Sequence, residues 1–125
     1  MRILGFGEKF PKLDQAEFTT FRYPRADKDW QEGELVQVVV KPRSKDRETL
    51  GIARIVAIVP RAMFPLPDSE THYFTVVETQ PYEAITDGFF SREEMRSWVK
   101  RTYPDRTIYE PMNKLTLQWV EEEKP

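Results

Sequence analysis

Apolar residues in this chain alternate with polar ones or gather in short runs, and the runs are separated by proline, glycine and charged turns. That pattern predicts a mainly β chain. Residues 2–6 are apolar at alternate positions and read as a first strand, weakened by Gly5 and ended by Gly7. Residues 11–16 open on Pro11, which is tolerated in a first helical turn, and form either a short helix or a loop. Residues 17–23 (Glu-Phe-Thr-Thr-Phe-Arg-Tyr) are rich in aromatic and β-branched side chains, and Pro24 stops the strand because it has no amide hydrogen to add to a ladder. The two-residue period of that strand puts Thr20 and Arg22 on one face. After a polar turn holding Trp30, residues 34–41 give the clearest strand, and its near-continuous valines predict burial on both faces at its end. Residues 49–59 pair with it as a hairpin whose tip, residues 41–47, is basic. Residues 60–71 carry Pro60, Pro65 and Pro67 and read as an extended surface loop before a strand at 73–78.

The period changes in the last third. Residues 81–87 are long enough for two helical turns, with Gly88 supplying a left-handed end. Residues 91–102 form the one clear helix: Ser91 and Glu94 have the spacing of a capping box, and Met95, Trp98, Val99 and Thr102 recur on one stripe. Tyr103-Pro104 ends it. Residues 107–109 read as a short strand, and 114–120 alternate with Leu115, Leu117 and Trp119 on one face. The expected fold is therefore a single domain over residues 1–125, mainly β with a late α insertion (α+β). Five to six strands of this kind close most economically into a small β-barrel, which removes exposed edges.

Composition narrows the class. Three Trp, five Tyr and eight Phe are ample for a core and exclude a disordered chain, while the absence of cysteine excludes disulfides, thiolate metal sites and a Cys nucleophile. No apolar run approaches the roughly 20 residues of a membrane helix, and the N-terminus lacks the basic-then-apolar order of a secretion signal, so the expectation is a cytoplasmic protein without membrane attachment. The net charge of −2 is unevenly spread: residues 1–61 carry 12 Lys and Arg against 9 Asp and Glu, residues 62–125 carry 7 against 12. The balance argues against sequence-blind duplex binding, and the first half is the better face for an anion.

Several chemistries are absent. The single histidine, His72, has no His-Glu-x-x-His or His/Cys partner, so no metal is expected; no glycine-rich phosphate loop occurs, so no nucleotide cofactor is expected; and no serine sits in Gly-x-Ser-x-Gly. Two constellations remain. In the hairpin tip Lys41, Arg43, Lys45 and Arg47 recur every second residue, which in an extended segment projects all four toward one side, either to meet phosphates or as a solvated turn that protects a sheet edge. The second is Glu17, Thr20, Arg22 and Asp87: a hydroxyl, a cation and carboxylates that either converge on one polar pocket or serve as a structural ion pair and a helix-ending turn.

At these residues the chain resembles the activating signal cointegrator homology (ASCH) domains, a branch of the PUA-like superfamily. The resemblance is carried, in order, by Thr19-Thr20-Phe21-Arg22; by Trp30-Gln31-Glu32-Gly33-Glu34 leading into Leu35-Val36-Gln37-Val38; by Gly51-Ile52-Ala53-Arg54-Ile55; by Ala84-Ile85-Thr86-Asp87-Gly88-Phe89; and by Leu115-Thr116-Leu117-Gln118-Trp119. It implies a PUA-like barrel with a cleft between barrel and helical insertion that takes RNA or a modified nucleoside. In this cleft Arg22 would neutralise a phosphate or fork onto a base, Asp87 would accept from a base amine, Tyr23 and Phe89 would stack, and Lys41, Arg43, Lys45 and Arg47 would meet backbone phosphates. The alternative that the resemblance implies is an amidohydrolase acting on a nucleoside such as acetylated cytidine, with Thr20 as nucleophile and Asp87 or Glu17 handling protons. The family's lysine does not carry over, because Glu17 stands three residues before Thr20; Lys12 substitutes only if its loop folds back. A third expectation is a protein partner held by the proline-rich loop 60–71.

Overall fold

The structure, a computed structural model, describes residues 1–64, 76–106 and 110–120. The elements run β1 (Arg2–Phe6), a 3-10 turn (Pro11–Asp14), β2 (Glu17–Arg22), β3 (Leu35–Val40), β4 (Glu48–Ala62), β5 (Val77–Glu78), α1 (Pro81–Asp87), α2 (Arg92–Thr102) and β6 (Met112–Trp119). All six strands join one sheet in the order β1-β3-β4-β6-β2, with β5 beside the far end of β4. β1 lies parallel to β3 and β5 parallel to β4, and the remaining pairs are antiparallel. The mainly β, α+β expectation holds, and the helices fall late in the chain as the periodicity indicated.

The expected closed barrel does not form. β1 and β2 stand at opposite ends of the strand order, with no ladder between them. Side chains cross that gap in place of backbone amides: Arg22 Nη2 donates to the Gly5 carbonyl at 2.7 Å, and the rings of Phe6 and Phe18 meet edge to face at 6.2 Å. The sheet is open, and its two end strands are joined by a guanidinium and an aromatic contact.

β4 is the organising strand. Its first half pairs with β3 and its second with β6, with register shifts opposite Val38/Val39 of β3 and between its own Ile55 and Ala57 against β6. Such irregularities bend a strand and increase its twist, which lets 15 residues serve two neighbours. β4 also runs through Pro60 to Ala62, so the first residues of the loop expected at 60–71 belong to a strand. Residues 65–75 and 107–109, with His72, the short strand expected at 107–109 and the first part of the strand expected at 73–78, lie outside the described residues, and Val77–Glu78 of the latter form β5.

The sheet has an apolar cluster on each face. Leu4, Phe6, Leu13, Phe18, Trp30, Val36, Val38, Ile55, Leu115 and Leu117 fill one. On the other, Phe21, Met63 and Met112 meet Ala84 of α1 and Met95 and Val99 of α2. Val38, Val39 and Val40 are all buried, as their run predicted. Alternation explains the division: on β2 Phe18 enters the first cluster and Phe21 the second, and on β6 Leu115 and Leu117 oppose Met112. α2 starts where Ser91 Oγ accepts from the Glu94 amide at 3.1 Å. Its stripe buries Met95 and Val99 and half-buries Trp98, while Thr102 is exposed.

Candidate functional site

The helix-side face of β2 and β6 is apolar beneath α2 and becomes polar farther along. Phe21 pairs with Lys114, Thr19 with Thr116 and Glu17 with Gln118. Two short elements wall this polar stretch. One is the 3-10 turn, initiated by Pro11, closed by Leu13 N→Phe10 O and Gln15 N→Lys12 O, and anchored through buried Leu13, whose carbonyl accepts from Trp119 Nε1 at 3.1 Å. The anchoring turns Lys12 back over the strand. The other wall is α1. Gln80 donates its amide to Glu83 Oε1 at 3.0 Å, Pro81 opens the helix, and Gly88 at φ +111° ends it. A four-residue spacing puts Glu83 and Asp87 on the same helix face, and both are buried.

Each of these carboxylates takes a lysine from another element. Glu83, with no exposed surface, accepts from Lys114 Nζ at 2.6 Å and from Arg61 Nε at 3.0 Å. Burial pushes its carboxyl up, but the hydrogen bonds from Lys114 and the Gln80 amide outweigh that and hold it below the usual glutamate value. Asp87 Oδ2 lies 3.2 Å from Lys12 Nζ, and Oδ1 accepts from the Thr19 hydroxyl at 2.8 Å. The Lys12 and Asp87 side chains are only 10% and 6% exposed. Burial raises the Asp87 pKa against the opposing charge of Lys12, and burial lowers the Lys12 pKa despite Asp87. Both ions are therefore less stable here than in water, a condition that favours proton exchange.

A cleft of about 680 Å³ opens onto this set, lined by Lys12, Glu17, Thr19, Thr86, Lys114 and Thr116 among others. It lies between the sheet, the 3-10 turn and the end of α1, and its size falls within the range of small-molecule sites. Three hydroxyls, two ammonium groups and one carboxylate are set among apolar lining from Pro11 and Phe18.

The sequence-derived residues are placed as follows. Thr20 and Arg22 do meet, with Arg22 Nε 3.2 Å from Thr20 Oγ1, but on the opposite face of β2 from Thr19. Asp87 therefore bonds to Thr19 and not to Thr20, which corrects the expected convergence: one residue along a strand reverses the face. Arg22 remains electrostatically linked to Asp87, although burial lowers its own pKa. Glu17 is exposed at the rim of the cleft. Tyr23 and Phe89 both pack against other rings. Tyr23 is buried edge to face with Tyr103 at 4.9 Å, with Arg106 over its ring at 4.6 Å, and Phe89 packs on Trp98 at 5.6 Å. Both belong to the second cluster, Tyr23 as a buried member and Phe89 packed against it.

Lys41, Arg43, Lys45 and Arg47 are all exposed, but their segment is not extended. Ser44 N bonds to Lys41 O and Arg47 N to Ser44 O, two successive turns entered at a left-handed Lys41 (φ +50°), so the every-second-residue projection does not apply. Sequence reasoning passed over Thr19, Lys114 and Thr116. The signal for Thr19 was the Thr-Thr pair itself, which offers a hydroxyl to each face. Among the described residues no group of three or more His, Cys, Asp and Glu side chains is arranged to hold a metal, and no helix is long and apolar enough to cross a membrane. In comparisons with protein-family models, curated proteins and solved structures, the chain matches none.

Proposed function

We propose that the cleft between sheet and α1 binds a modified nucleoside, free or carried on RNA. The observation that carries this reading is the Lys12–Asp87–Thr19 set: donors and an acceptor, desolvated and fixed from three separate elements, of which Lys12 and Thr19 line a space of single-ligand size. The order of the ASCH-like motifs supports it, and we infer a PUA-like domain of that type in which the end strands remain unjoined. Thr19, Thr86 and Thr116 would serve ribose or base edges, and Lys114 would donate to a carbonyl. The exposed Lys41, Arg43, Lys45 and Arg47 would hold backbone phosphates when the nucleoside is part of a strand. Titration with acetylated cytidine, cytidine and a single-stranded RNA, followed by intrinsic tryptophan fluorescence, tests it. Saturable binding weakened by Lys12→Met and Thr116→Val supports the reading, and no binding by folded protein rejects it.

A second reading, hydrolysis of the N-acyl group, is favoured by one specific observation: Lys12 supplies the ammonium that Glu17 cannot. Thr19 Oγ1 would attack the acyl carbon while its proton passes to Asp87 along the 2.8 Å hydrogen bond. The developing oxyanion would face the Lys12 ammonium. Collapse breaks the C–N bond, the amine leaves with the proton held by Asp87, and water then cleaves the threonyl ester. Chromatography of acetylated cytidine incubated with the protein separates the readings: release of cytidine and acetate, lost in Thr19→Val and kept in Thr20→Val, assigns turnover. Binding without product assigns recognition alone.

A further inference from the structure

A primary amine is a nucleophile only after losing its proton, and a lysine surrounded by water at neutral pH almost never has. Lys12 has lost most of the solvent that keeps the proton in place. Its side chain is 10% exposed, and its Nζ lies 5.5 and 5.8 Å from the ring centroids of Phe6 and Phe10. Burial lowers the Lys12 pKa, the charge and hydrogen bond of Asp87 oppose that, and the Arg22 guanidinium, which sits over the same Phe6 ring, adds to the lowering. The other charged groups lining the cleft are Glu17 from β2 and Lys114 from β6, and Lys114 is tied at 2.6 Å to Glu83.

The surroundings of Nζ suit the addition of an amine to a carbonyl. Lys12 lines the cleft, so a small molecule inside it reaches the amine. Asp87 Oδ2 stands 3.2 Å from Nζ, close enough to take a proton from the ammonium and to return it. The Thr19 hydroxyl donates to Oδ1 at 2.8 Å and fixes the carboxylate from its other side. Asp87 is itself 6% exposed, and burial raises its pKa, so it holds a proton more readily than a carboxylate in water.

We propose that Lys12 is a covalent site for small aldehydes, its Nζ forming an imine with the aldehyde carbon while Asp87 carries the proton. Lys12 gives a proton to Asp87, and the free amine adds to the carbonyl carbon. The added nitrogen passes a proton to the former carbonyl oxygen, which makes a carbinolamine. Asp87 then protonates that hydroxyl, water leaves, and the C–N double bond forms as a protonated imine whose charge pairs with the regenerated carboxylate. One ammonium and one aldehyde give one protonated imine and one water, with no oxidation or reduction. This chemistry goes beyond the nucleoside reading and does not depend on it.

The test incubates the full chain with propionaldehyde and sodium cyanoborohydride at neutral pH, which reduces an imine to a stable secondary amine, and maps the adducts by peptide mass spectrometry. Labelling is expected to be roughly a hundredfold faster at Lys12 than at the exposed Lys41 and Lys45, the lower end of what a positioned acid–base group contributes. The excess should shrink as pH rises and the exposed amines lose their protons, and unfolding in urea should erase it. Asp87→Asn removes the proton carrier and should slow labelling of Lys12 by a similar factor, with circular dichroism confirming its fold; if that variant does not fold, the native chain against the urea-unfolded chain decides. Labelling of Lys12 no faster than of Lys41 and Lys45 in the folded protein overturns the proposal, and so does labelling of folded Asp87→Asn as fast as the unmodified protein. Acetylated cytidine titrated into the same samples keeps the two readings apart. Saturable nucleoside binding with Lys12 unlabelled overturns the covalent site alone, and adduct at Lys12 without nucleoside binding overturns the nucleoside reading alone.

Discussion

Removing the Glu83 carboxylate tests how α1 is held on the sheet, and with it how Asp87 reaches Thr19. The Glu83 side chain has no exposed surface and accepts from Arg61 Nε, Lys114 Nζ and the Gln80 amide. Glu83→Ala would leave two cations without their anion and an N-terminal amide without its acceptor. Breaking a buried pair by deleting one partner costs about 3–5 kcal/mol. Arg61 and Lys114 keep 19% and 17% of their side chains in contact with water and can relax toward it, which places the expectation near the lower bound, about 3 kcal/mol. For a domain of this size that lowers the melting midpoint by roughly 10–15 °C. Urea unfolding followed by far-ultraviolet circular dichroism measures it, and Glu83→Ala combined with Lys114→Met should recover part of the loss. A loss below about 1 kcal/mol would show that the network is worth no more than a surface pair and would refute the reasoning. Because Asp87 follows Glu83 by one turn on a seven-residue helix, binding in the cleft should fall with stability in Glu83→Ala.

Other substitutions separate neighbouring roles. Gly88→Ala should cost about 1 kcal/mol in the same unfolding assay, purely through its left-handed backbone, since a Cβ there meets nothing within 4 Å. Ser91→Ala removes the hydroxyl that accepts from Glu94 N and should cost about 1 kcal/mol without altering ligand affinity, read by unfolding and titration in parallel. The pH dependence has two opposed parts. Glu83 is held below its ordinary value, so its stabilisation is present above pH 4.5 and is lost as pH falls through its depressed folded-state value. Asp87 is raised, so its contribution is greatest below pH 3.8 and is lost as pH rises through its elevated folded-state value. Melting midpoints from pH 3 to 7 should therefore climb less steeply with pH in Glu83→Gln than in the unmodified protein, and parallel curves would contradict the assignment.

Local signals made much of this architecture legible before any coordinates. Pro24 ended β2 after Arg22, Ser91 started α2 and Gly88 closed α1, because caps and breakers act through their own backbone groups and depend on near neighbours only. Valine content marked β3, and alternation marked the core face of β6. The register that chose between two adjacent threonines was different in kind. Thr19 and Thr20 are equivalent as residues, and both are buried. Only the sheet and the helix packed on it decide which hydroxyl meets Asp87. Tyr23 and Phe89 pack in the second cluster for a related reason: aromatic character is visible in a sequence, but which rings fill a cluster depends on how the helices pack on the sheet.

The amino-acid order by itself determined five of the described strands, the clear helix and its cap, and which residues carry hydroxyls, cations and carboxylates, because propensity and periodicity are short-range properties of the chain. Tertiary structure alone decided that the sheet stays open between β1 and β2, that the 3-10 turn carries Lys12 onto Asp87 across 75 positions of sequence, and that Arg22 crosses the seam to the Gly5 carbonyl. Those outcomes depend on desolvation and on contacts between distant segments, and neither quantity exists until the chain has folded.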